Sequence, residues 1–297
     1  MKVLNFGSLN LDLVYQMDHF IRPGETFAAW RLDKFPGGKG LNQSIALARA
    51  GARVYHAGNV GPDGEALVEA LQNAGVDTCF VRRIQEVTGH AIIQVDSRGD
   101  NSIILYGGAN VRVTSGQIDQ VLEGFEKGDY LILQNEVNLV GEIIDKAFEK
   151  GMTIVLNPSP MNDEIRKLPL EKVSFFLLNE IEGEELTGKR EPEDILDRLL
   201  GRYPQARVVL TLGGNGSVYA DGEKRIHQDI YKVEAVDTTA AGDTFTGYFI
   251  STLIRTGSCR EALDMAARAS ALAVSRQGAA PSIPTLCEVC AAEGGKQ

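Results

Sequence analysis

The 297-residue sequence has few cysteines, an excess of acidic over basic residues and no long apolar run, and each of these shortages excludes a class of protein. Four cysteines, two of them in Cys287-x-x-Cys290, do not make a disulfide framework, and without a second pair or nearby histidines they are weak evidence for zinc. The 30 lysines and arginines are outnumbered by 40 acidic residues, and no basic run suited to nucleic acid occurs. No stretch approaches the roughly 20 apolar residues of a membrane span. Residues 1–14, interrupted by Asn10 and Asp12, do not resemble a signal sequence. We therefore expect a cytoplasmic protein with reduced thiols and no nucleic-acid or membrane partner.

What the sequence does contain is typical of an α/β protein. Near-continuous apolar strands alternate with helical patterns, which predicts a mostly parallel central sheet covered by helices on both faces. Polar or turn residues follow each strand, and the carboxyl ends of parallel strands meet at one sheet edge where ligands bind. We predict a single α/β domain over residues 1–297. The predicted strands are 2–6, 54–59, 130–133, 153–156, 175–178 and 208–212, and the predicted helices include 63–74, 140–149 and 258–276.

Residues 11–35 and 89–107 contain β patterns that no crossover helix follows. Residues 89–107 read as a hairpin around Ser97-Arg98-Gly99-Asp100. Such inserted strands predict a small discontinuous β-sheet that covers a site as a lid. Its edge strands would pair well with a second copy of the chain, so we expect a homodimer through this lid.

The rest of the chain is organised around Val236–Gly247. Residues 231–236 are β-branched and alternating, which predicts a strand end, and Phe245, Phe249 and Leu253 then recur at helical spacing. Ala240, Ala241 and Gly242 therefore lie where a loop becomes a helix, and the unpaired N–H groups there form an anion site that small side chains leave open. A carboxylate beside this anion site would repel a phosphate, so Asp243 is expected there only if it has another role. That role could be to take a proton from a hydroxyl that attacks the phosphorus. The alternative is that Thr238 or Thr239 caps the helix and Asp243 only complements the helix dipole.

A glycine-rich loop, Pro36-Gly37-Gly38-Lys39-Gly40-Leu41-Asn42-Gln43, also precedes a helical pattern. Its spacing fits neither the P-loop nor the dinucleotide fingerprint. Adjacent glycines let backbone amides approach a ligand, and Asn42 offers both a donor and an acceptor, which favours a sugar clamp. Asn10 and Asp12, two apart after the first strand, face the same way and could hold a neutral polyol, although an Asx turn explains the pair equally well.

With these segments in place, the sequence resembles the ribokinase family of carbohydrate and nucleoside kinases over essentially its whole length. The resemblance implies the family's three-layer fold with a mostly parallel central sheet between helices and a small β lid. The Gly-Gly-Lys-Gly and Ala-Gly-Asp segments are the family's own signatures, and their joint presence in the right order is highly specific. The further matching segments are Asn10-x-Asp12, Gly107-Gly108-Ala109-Asn110, Glu136, Asn157-Pro158, Asn179-x-x-Glu182, Thr211-x-Gly213 and Asp237-Thr238.

The resemblance also implies roles for individual residues. Asp243 would be the general base on a sugar's primary hydroxyl, and the amides from Ala240 through Ala241 and Gly242 to Asp243 would hold the transferring phosphoryl group. The implied sugar-binding residues are Asn10, Asp12, Gly38, Lys39, Asn42, Glu136 and Asp243. Those implied for ATP are Asn179, Thr211, Gly213, Gly216 and Gly242, and those for Mg²⁺, held through water, are Asn179 and Glu182. The positions implied for a monovalent cation, expected to be K⁺, are Asp237, Thr239, Ala273, Arg276, Gly278 and Ser282.

We therefore expect an ATP-dependent sugar kinase with D-ribose as its substrate. Alternatives of the same chemistry are kinases of fructose, another sugar, a sugar acid or a nucleoside. A catalytically silent sugar- or nucleotide-binding regulator is an alternative of another class, and a dinucleotide oxidoreductase is disfavoured by the missing fingerprint. Asn135 stands where the family usually has an apolar residue, and it either alters sugar selectivity or is a harmless loop substitution.

Overall fold

Thirteen strands form two sheets in the computed structural model, which describes residues 1–292. The strands are β1 (Val3–Phe6), β2 (Asn10–Gln16), β3 (Arg31–Gly37), β4 (Val54–Val60), β5 (Asp77–Arg83), β6 (Gly89–Val95), β7 (Asn101–Tyr106), β8 (Tyr130–Gln134), β9 (Thr153–Asn157), β10 (Phe175–Asn179), β11 (Arg207–Thr211), β12 (Ser217–Ala220) and β13 (Arg225–Gln228).

Nine α-helices accompany the strands within these described residues. They are α1 (Lys39–Arg49), α2 (Glu65–Asn73), α3 (Ser115–Leu122), α4 (Val140–Glu149), α5 (Glu180–Thr187), α6 (Pro192–Arg202), α7 (Ala241–Thr256), α8 (Cys259–Val274) and α9 (Leu286–Ala291). Short 3₁₀ turns lie at Gly108–Arg112, Asp163–Lys167, Leu170–Lys172, Gly213–Asn215 and Ala280–Ser282. No helix of residues 1–292 combines the length and the apolar character that crossing a bilayer requires.

The larger sheet has nine strands in the order β13-β12-β11-β10-β9-β8-β1-β4-β5. Neighbouring strands are parallel from β11 to β5, and only the pairings β11–β12 and β12–β13 at one end are antiparallel. Successive residues of β8 point to opposite faces of the larger sheet. Leu131 and Leu133 belong to the apolar cluster that includes α3, α4 and α6, and Ile132 belongs to the cluster that includes α1, α2, α7 and α8. The predicted three-layer α/β fold with a mostly parallel sheet is confirmed.

The register of the large sheet brings polar residues together at one edge. Gln134 at the end of β8 lies opposite Asn157 of β9, and Asn179 at the end of β10 lies opposite Thr211 of β11. These are the carboxyl ends of the strands, where the loops that follow them form a cleft.

The smaller sheet has the order β3-β2-β6-β7, and the predicted hairpin is its antiparallel pair β6 and β7. All six residues of β7 are exposed, including Ile104 and Leu105. Its function as a lid and the treatment of residues 1–297 as one domain stay predictions, and residues 293–297 lie outside the described part of the chain.

The predicted strand end at residues 231–236 is wrong. Residues 229–240 are irregular, because β13 ends at Gln228 and the N–H groups of Val236 and Asp237 donate to the Val274 carbonyl, at 2.8 and 3.1 Å, instead of to a strand. The strands β5, β12 and β13 are not predicted from the sequence. β5 and β13 are the two edge strands of the sheet, where one side of the strand lacks a partner, and β12 is a buried strand of only four residues.

Candidate active site

Helix α7 begins without a side-chain cap, which leaves backbone donors free at its start. Its N-cap residue is Ala240, in the left-handed region at φ 61°, and neither Thr238 nor Thr239 caps the helix. The N–H of Ala241 donates to the Thr238 carbonyl at 3.2 Å, whereas those of Gly242 and Asp243 have no acceptor within residues 1–292. Two unpaired N–H groups at the positive end of a 16-residue helix suit an anion.

A cavity of about 230 Å³ lies in front of this helix start. Gly242 faces it without obstruction, because a Cβ placed there would meet no heavy atom within 4 Å. Lys39 is the only lysine or arginine among the described residues that line this cavity. The other lining residues include Asn157, Asn179, Glu182, Thr211, Thr238, Ala240, Ala241, Asp243 and Phe245.

The carboxylate of Asp243 is held by two amides of α1. Asn42 Nδ2 donates to Oδ2 at 3.0 Å, and Gln43 Nε2 donates to Oδ1 at 2.9 Å. Asp243 is only 8% exposed, so these hydrogen bonds form away from competing water. The Oδ1 atom of Asn42 is buried and has no partner in the described residues, which leaves an acceptor that a ligand hydroxyl can satisfy.

The predicted sugar residues of β2 lie against the glycine loop. A Cβ on Gly37 would collide with the carboxylate of Asp12, and one on Gly38 would come within 3.0 Å of the Asn10 N atom. Gly38 also has φ 93°, which disfavours any other residue. Asn110 Nδ2 donates to Asn10 Oδ1 at 2.7 Å and thereby orients the Asn10 amide.

Glu136, two residues after the end of β8, belongs to the same cluster. Its Oε2 accepts hydrogen bonds from the Ser8 hydroxyl and from the N–H of Lys39, the latter at 3.0 Å. Burial raises the pKa of Glu136, although the Ser8 hydroxyl and the charge of Lys39 oppose the rise. The Lys39 backbone and Gly38 are thus held next to Asn10 and Glu136.

Four acidic side chains surround one cation at this edge. Burial raises the pKa of Asp12 to about 7, and the charges of Glu136 and Asp243 add to the rise. Burial alone would lower the pKa of Lys39, but Asp243, Glu136 and Glu182 outweigh it, so the pKa is raised and the ammonium stays charged. The side chains of the site therefore carry a net negative charge, and a polyanion would bind there together with its own cations.

Asn179 and Glu182 form a capping box at the start of α5, so their spacing also has a structural explanation. Asn179 Oδ1 accepts from the N–H of Glu182 at 2.9 Å, and Glu182 Oε2 accepts from the N–H of Asn179 at 3.0 Å. Both line the cavity. No cluster of three or more acidic, histidine or cysteine residues suited to a metal occurs in residues 1–292. Mg²⁺ on phosphates keeps most of its waters and needs few protein oxygens, so this donor set fits that ion.

The predicted nucleotide residues after β11 are only partly at the cavity. Thr211 lines it, and Gly213 follows in a 3₁₀ turn at φ 52° with open space where a Cβ would lie. Gly216 has φ 90°, and a Cβ there would collide with the Gln228 carbonyl. Gly216 is therefore required by the backbone, whether or not a nucleotide contacts it.

Of the positions predicted for a monovalent cation, Thr239 and Gly278 contact Asp237. Its Oδ1 accepts from the N–H of Thr239 and its Oδ2 from that of Gly278, both at 2.9 Å. Burial would raise the pKa of Asp237, but these hydrogen bonds outweigh it and the pKa is lowered. The Ala273 carbonyl accepts from the N–H of Arg276 at 3.1 Å, while Ser282 is buried and contacts Ala279.

The sequence assigns no role to three residues at the site. Gln43 ends the Gly-Gly-Lys-Gly segment and Asn110 ends the Gly-Gly-Ala-Asn segment, whereas Ser8 lies two residues before Asn10. Only their partners in space, Asp243, Asn10 and Glu136, reveal what they do. Asn135 donates to the Pro160 carbonyl at 2.7 Å, so its amide is engaged by a loop.

Comparison with known proteins agrees with this geometry. Residues 1–286 match the sequence model of the pfkB family carbohydrate kinases. The chain is 36% identical to a ribokinase of Staphylococcus aureus (strain COL), over 97% of this chain and 98% of that protein.

Two solved structures have the same fold. An Arabidopsis thaliana ribokinase complexed with ribose and ATP is 31% identical with a TM-score of 0.86, covering 97% of both chains. A Cryptococcus neoformans var. grubii serotype A ribokinase in complex with ADP is 33% identical with a TM-score of 0.85, covering 97% of this chain and 98% of the other.

Proposed function

The chain belongs to the pfkB family of carbohydrate kinases, and we propose that it transfers the γ-phosphoryl group of ATP to the primary hydroxyl of D-ribose. One observation carries the proposal. The buried carboxylate of Asp243 lies between the unpaired N–H groups at the start of α7 and Asn42 of the glycine loop, so it joins a phosphate site to a polyol site.

The chemistry follows from that position. The hydroxyl oxygen of the sugar forms a bond to the γ-phosphorus while the bond from that phosphorus to the bridging oxygen breaks, and its electron pair leaves with ADP. Asp243 accepts the hydroxyl proton and later releases it to water. Because the transition state of phosphoryl transfer is loose, proton transfer can lag, and positioning and electrostatics supply most of the rate increase. The free N–H groups of Gly242 and Asp243 support stabilisation of the transferred group.

The polyol side favours a neutral sugar. Asn10, Asp12, Asn42 and Glu136 offer amide and carboxylate oxygens, and Gly38 lets the ligand approach the backbone. The unpaired buried Oδ1 of Asn42 would gain a hydrogen bond from a sugar hydroxyl. Lys39 is the only cation at the cavity among the described residues, and a sugar that already carried a phosphate would need more.

The nucleotide side favours ATP with magnesium. Asn179 and Glu182 would hold Mg²⁺ through water, and Lys39, which lines the same cavity, would meet the phosphates. Bound Mg²⁺ would neutralise charge on the phosphates. Thr211, Gly213 and Gly216 lie on the loop that would contact the nucleotide. The turn around Asp237 would bind K⁺ through Asp237, Thr239, Ala273, Arg276, Gly278 and Ser282, and would thereby brace the start of α7.

We also propose that two copies pair through the smaller sheet. Ile103, Ile104 and Leu105 are each more than half exposed on β7, and Trp30 next to β3 is 65% exposed. An edge strand with adjacent apolar side chains is a surface that a second copy would cover.

The experiment that tests the sugar assignment is a substrate panel. ADP release would be measured with ATP and Mg²⁺ against D-ribose, 2-deoxyribose, fructose and adenosine, and D-ribose should give the highest kcat/KM. A higher value for fructose or adenosine would replace the sugar but keep the chemistry. No turnover with any of them would favour the non-catalytic regulator and remove the kinase assignment.

A further inference from the structure

We infer that Gln43 and Gln134 are positioning residues that orient the carboxylate of Asp243 for catalysis, and that Gln134 acts only through Gln43. The inference rests on the proposed role of Asp243 as the general base. It concerns side chains that do not bind sugar or nucleotide in the proposed site.

The first step is the contact between Gln43 and Asp243. Gln43 is fully buried and its Nε2 donates to Asp243 Oδ1 at 2.9 Å. A carboxylate only accepts hydrogen bonds, so the amide of Gln43 must present its nitrogen to Asp243. Asn42 holds the other carboxylate oxygen, and the two amides together define the plane of the carboxylate.

The second step is the contact that prevents the Gln43 amide from turning over. Gln134 Nε2 donates to Gln43 Oε1 at 2.6 Å and to Asn5 Oδ1 at 3.0 Å. With its oxygen held by Gln134, Gln43 can point only its nitrogen at Asp243. Gln134 is itself confined, because a Cβ on Gly7 would collide with Gln134 Oε1, so the two pack in contact.

The amides of Gln43 and Gln134 are fixed to the core through Asn5. Asn5 Nδ2 donates to the Ser44 hydroxyl oxygen at 2.8 Å and to the Gly40 carbonyl at 2.7 Å. Ser44 Oγ lies 2.7 Å from Nδ1 of the fully buried His56. Burial lowers the pKa of His56 to about 4, so the ring is neutral and its Nδ1 can accept a hydrogen bond from the Ser44 hydroxyl.

Buried polar side chains are costly unless they are paired, and five of them are joined in one line behind the carboxylate. Of their atoms, Gln134 Oε1 and His56 Nε2 have no partner in the described residues. The hydrogen bonds along this line rigidify the carboxylate. A base that must meet a hydroxyl at one angle benefits from such rigidity, since small misplacements cost large factors in rate. The network therefore acts on kcat through the orientation of Asp243. Sugar affinity should change little, because the sugar residues Asn10 and Glu136 are held by other partners, Asn110 and the N–H of Lys39.

The test is a double-mutant cycle with Gln43→Met and Gln134→Met, which replace the amides by apolar groups of similar size. We expect Gln43→Met to lower kcat by about 10- to 100-fold, a part of what a positioned base contributes. Sugar Kd by calorimetry should change by less than about three-fold, a range in which indirect effects fall. Gln134→Met should lower kcat by about 5-fold alone and by nothing further in the double variant, because it acts through Gln43.

The matched control is Gln117→Met. Gln117 is also a buried glutamine, its Nε2 donates to Asn59 Oδ1 at 2.8 Å, and neither residue is among the described residues that line the cavity. It should lose thermal stability to a similar degree and keep its kcat. Equal loss of kcat in Gln117→Met and Gln43→Met would overturn the inference, as would independent, multiplying effects of the two test substitutions.

Asp243→Asn separates this inference from the proposed function. If Asp243→Asn keeps its kcat, the base assignment falls and the inference falls with it. If Asp243→Asn loses kcat and Gln43→Met keeps it, only the positioning inference is overturned. Should Gln43→Met not fold, Gln134→Met decides alone: an unchanged kcat with normal sugar binding would overturn the inference, and a 5-fold loss would support it.

Discussion

The side chain of Asn42 donates a hydrogen bond of 3.0 Å to Oδ2 of Asp243, across 201 positions of sequence. One residue belongs to the glycine loop and the other to the first turn of α7, so the two recognised signatures are in direct contact. This contact brings the two loops together in one candidate site, whose residues can be tested individually.

Replacement of the base should separate catalysis from binding. Asp243→Asn should lower kcat by about 10²- to 10⁴-fold, the usual contribution of a positioned base, while Kd values for sugar and ATP stay close to wild type. The measurement is steady-state kinetics with calorimetry on the same preparation. Asp129→Asn is the control, since Asp129 is equally buried but accepts backbone hydrogen bonds from Lys2 and Glu126 instead of lining the cavity. A near-normal kcat in Asp243→Asn would refute the assignment.

Stability should depend on pH through Asp12. Its pKa is raised from 3.8 to about 7, mainly by burial, so the folded state holds a proton that the unfolded state releases. Stability should therefore be highest below pH 4 as far as this group is concerned, and should fall as the pH rises from about 4 to 7. The upper limit is about 4 kcal/mol, at about 1.4 kcal/mol per pKa unit, and partial solvent exposure reduces it to about 2 kcal/mol.

Asp12→Asn removes this dependence. In the absence of sugar, the variant should gain unfolding free energy over wild type at pH 7 and lose that gain near pH 4, as measured by urea unfolding. Its sugar affinity should fall at the same time, because a charged acceptor is lost. A stability difference that is the same at pH 4 and pH 7 would contradict the raised pKa.

A methyl group on Gly242 should stabilise the helix and obstruct the phosphate. Gly242→Ala has open space for its Cβ, so the unfolding free energy should rise by up to about 1 kcal/mol. The methyl group would lie at the free N–H groups, and kcat/KM for ATP should fall by about 10-fold. Gly116→Ala is the matched control, because Gly116 also lies in a first helical turn with no heavy atom near its Cβ position. It should give the same stabilisation with unchanged kinetics, and normal ATP kinetics in Gly242→Ala would remove these amides from the site.

Charge on the exposed edge strand should dissociate the proposed homodimer. Ile104 is 57% exposed on β7, and Ile104→Arg should convert a dimer into a monomer in analytical ultracentrifugation, because a buried unpaired charge costs several kcal/mol at an interface. Phe148→Arg is the control, since Phe148 is 51% exposed on α4, away from the smaller sheet. Dimers that persist in Ile104→Arg, or a wild-type monomer, would contradict pairing through β7.

The sequence alone determined the layers of this protein and predicted where its candidate site lies. Continuous apolar runs such as 130–133 and 175–178 and the 3.6-residue spacing from Phe245 onward are local patterns, so they can be read without the fold. The polar residues after each strand, the two glycine loops and Asp243 follow from the same local reasoning, because parallel strands end at a common edge.

Only the tertiary structure decided which side chains meet. The partners Gln43 and Asp243, or Ser8 and Glu136, are 200 and 128 positions apart, and no local period relates them. The raised pKa of Asp12 likewise depends on burial and on carboxylates from other segments, and the irregular course of residues 229–240 depends on the Val274 carbonyl. Hydrogen bonds and charge interactions act over a few ångströms. They therefore depend on which residues come close in the folded chain, and a local sequence pattern does not contain that information.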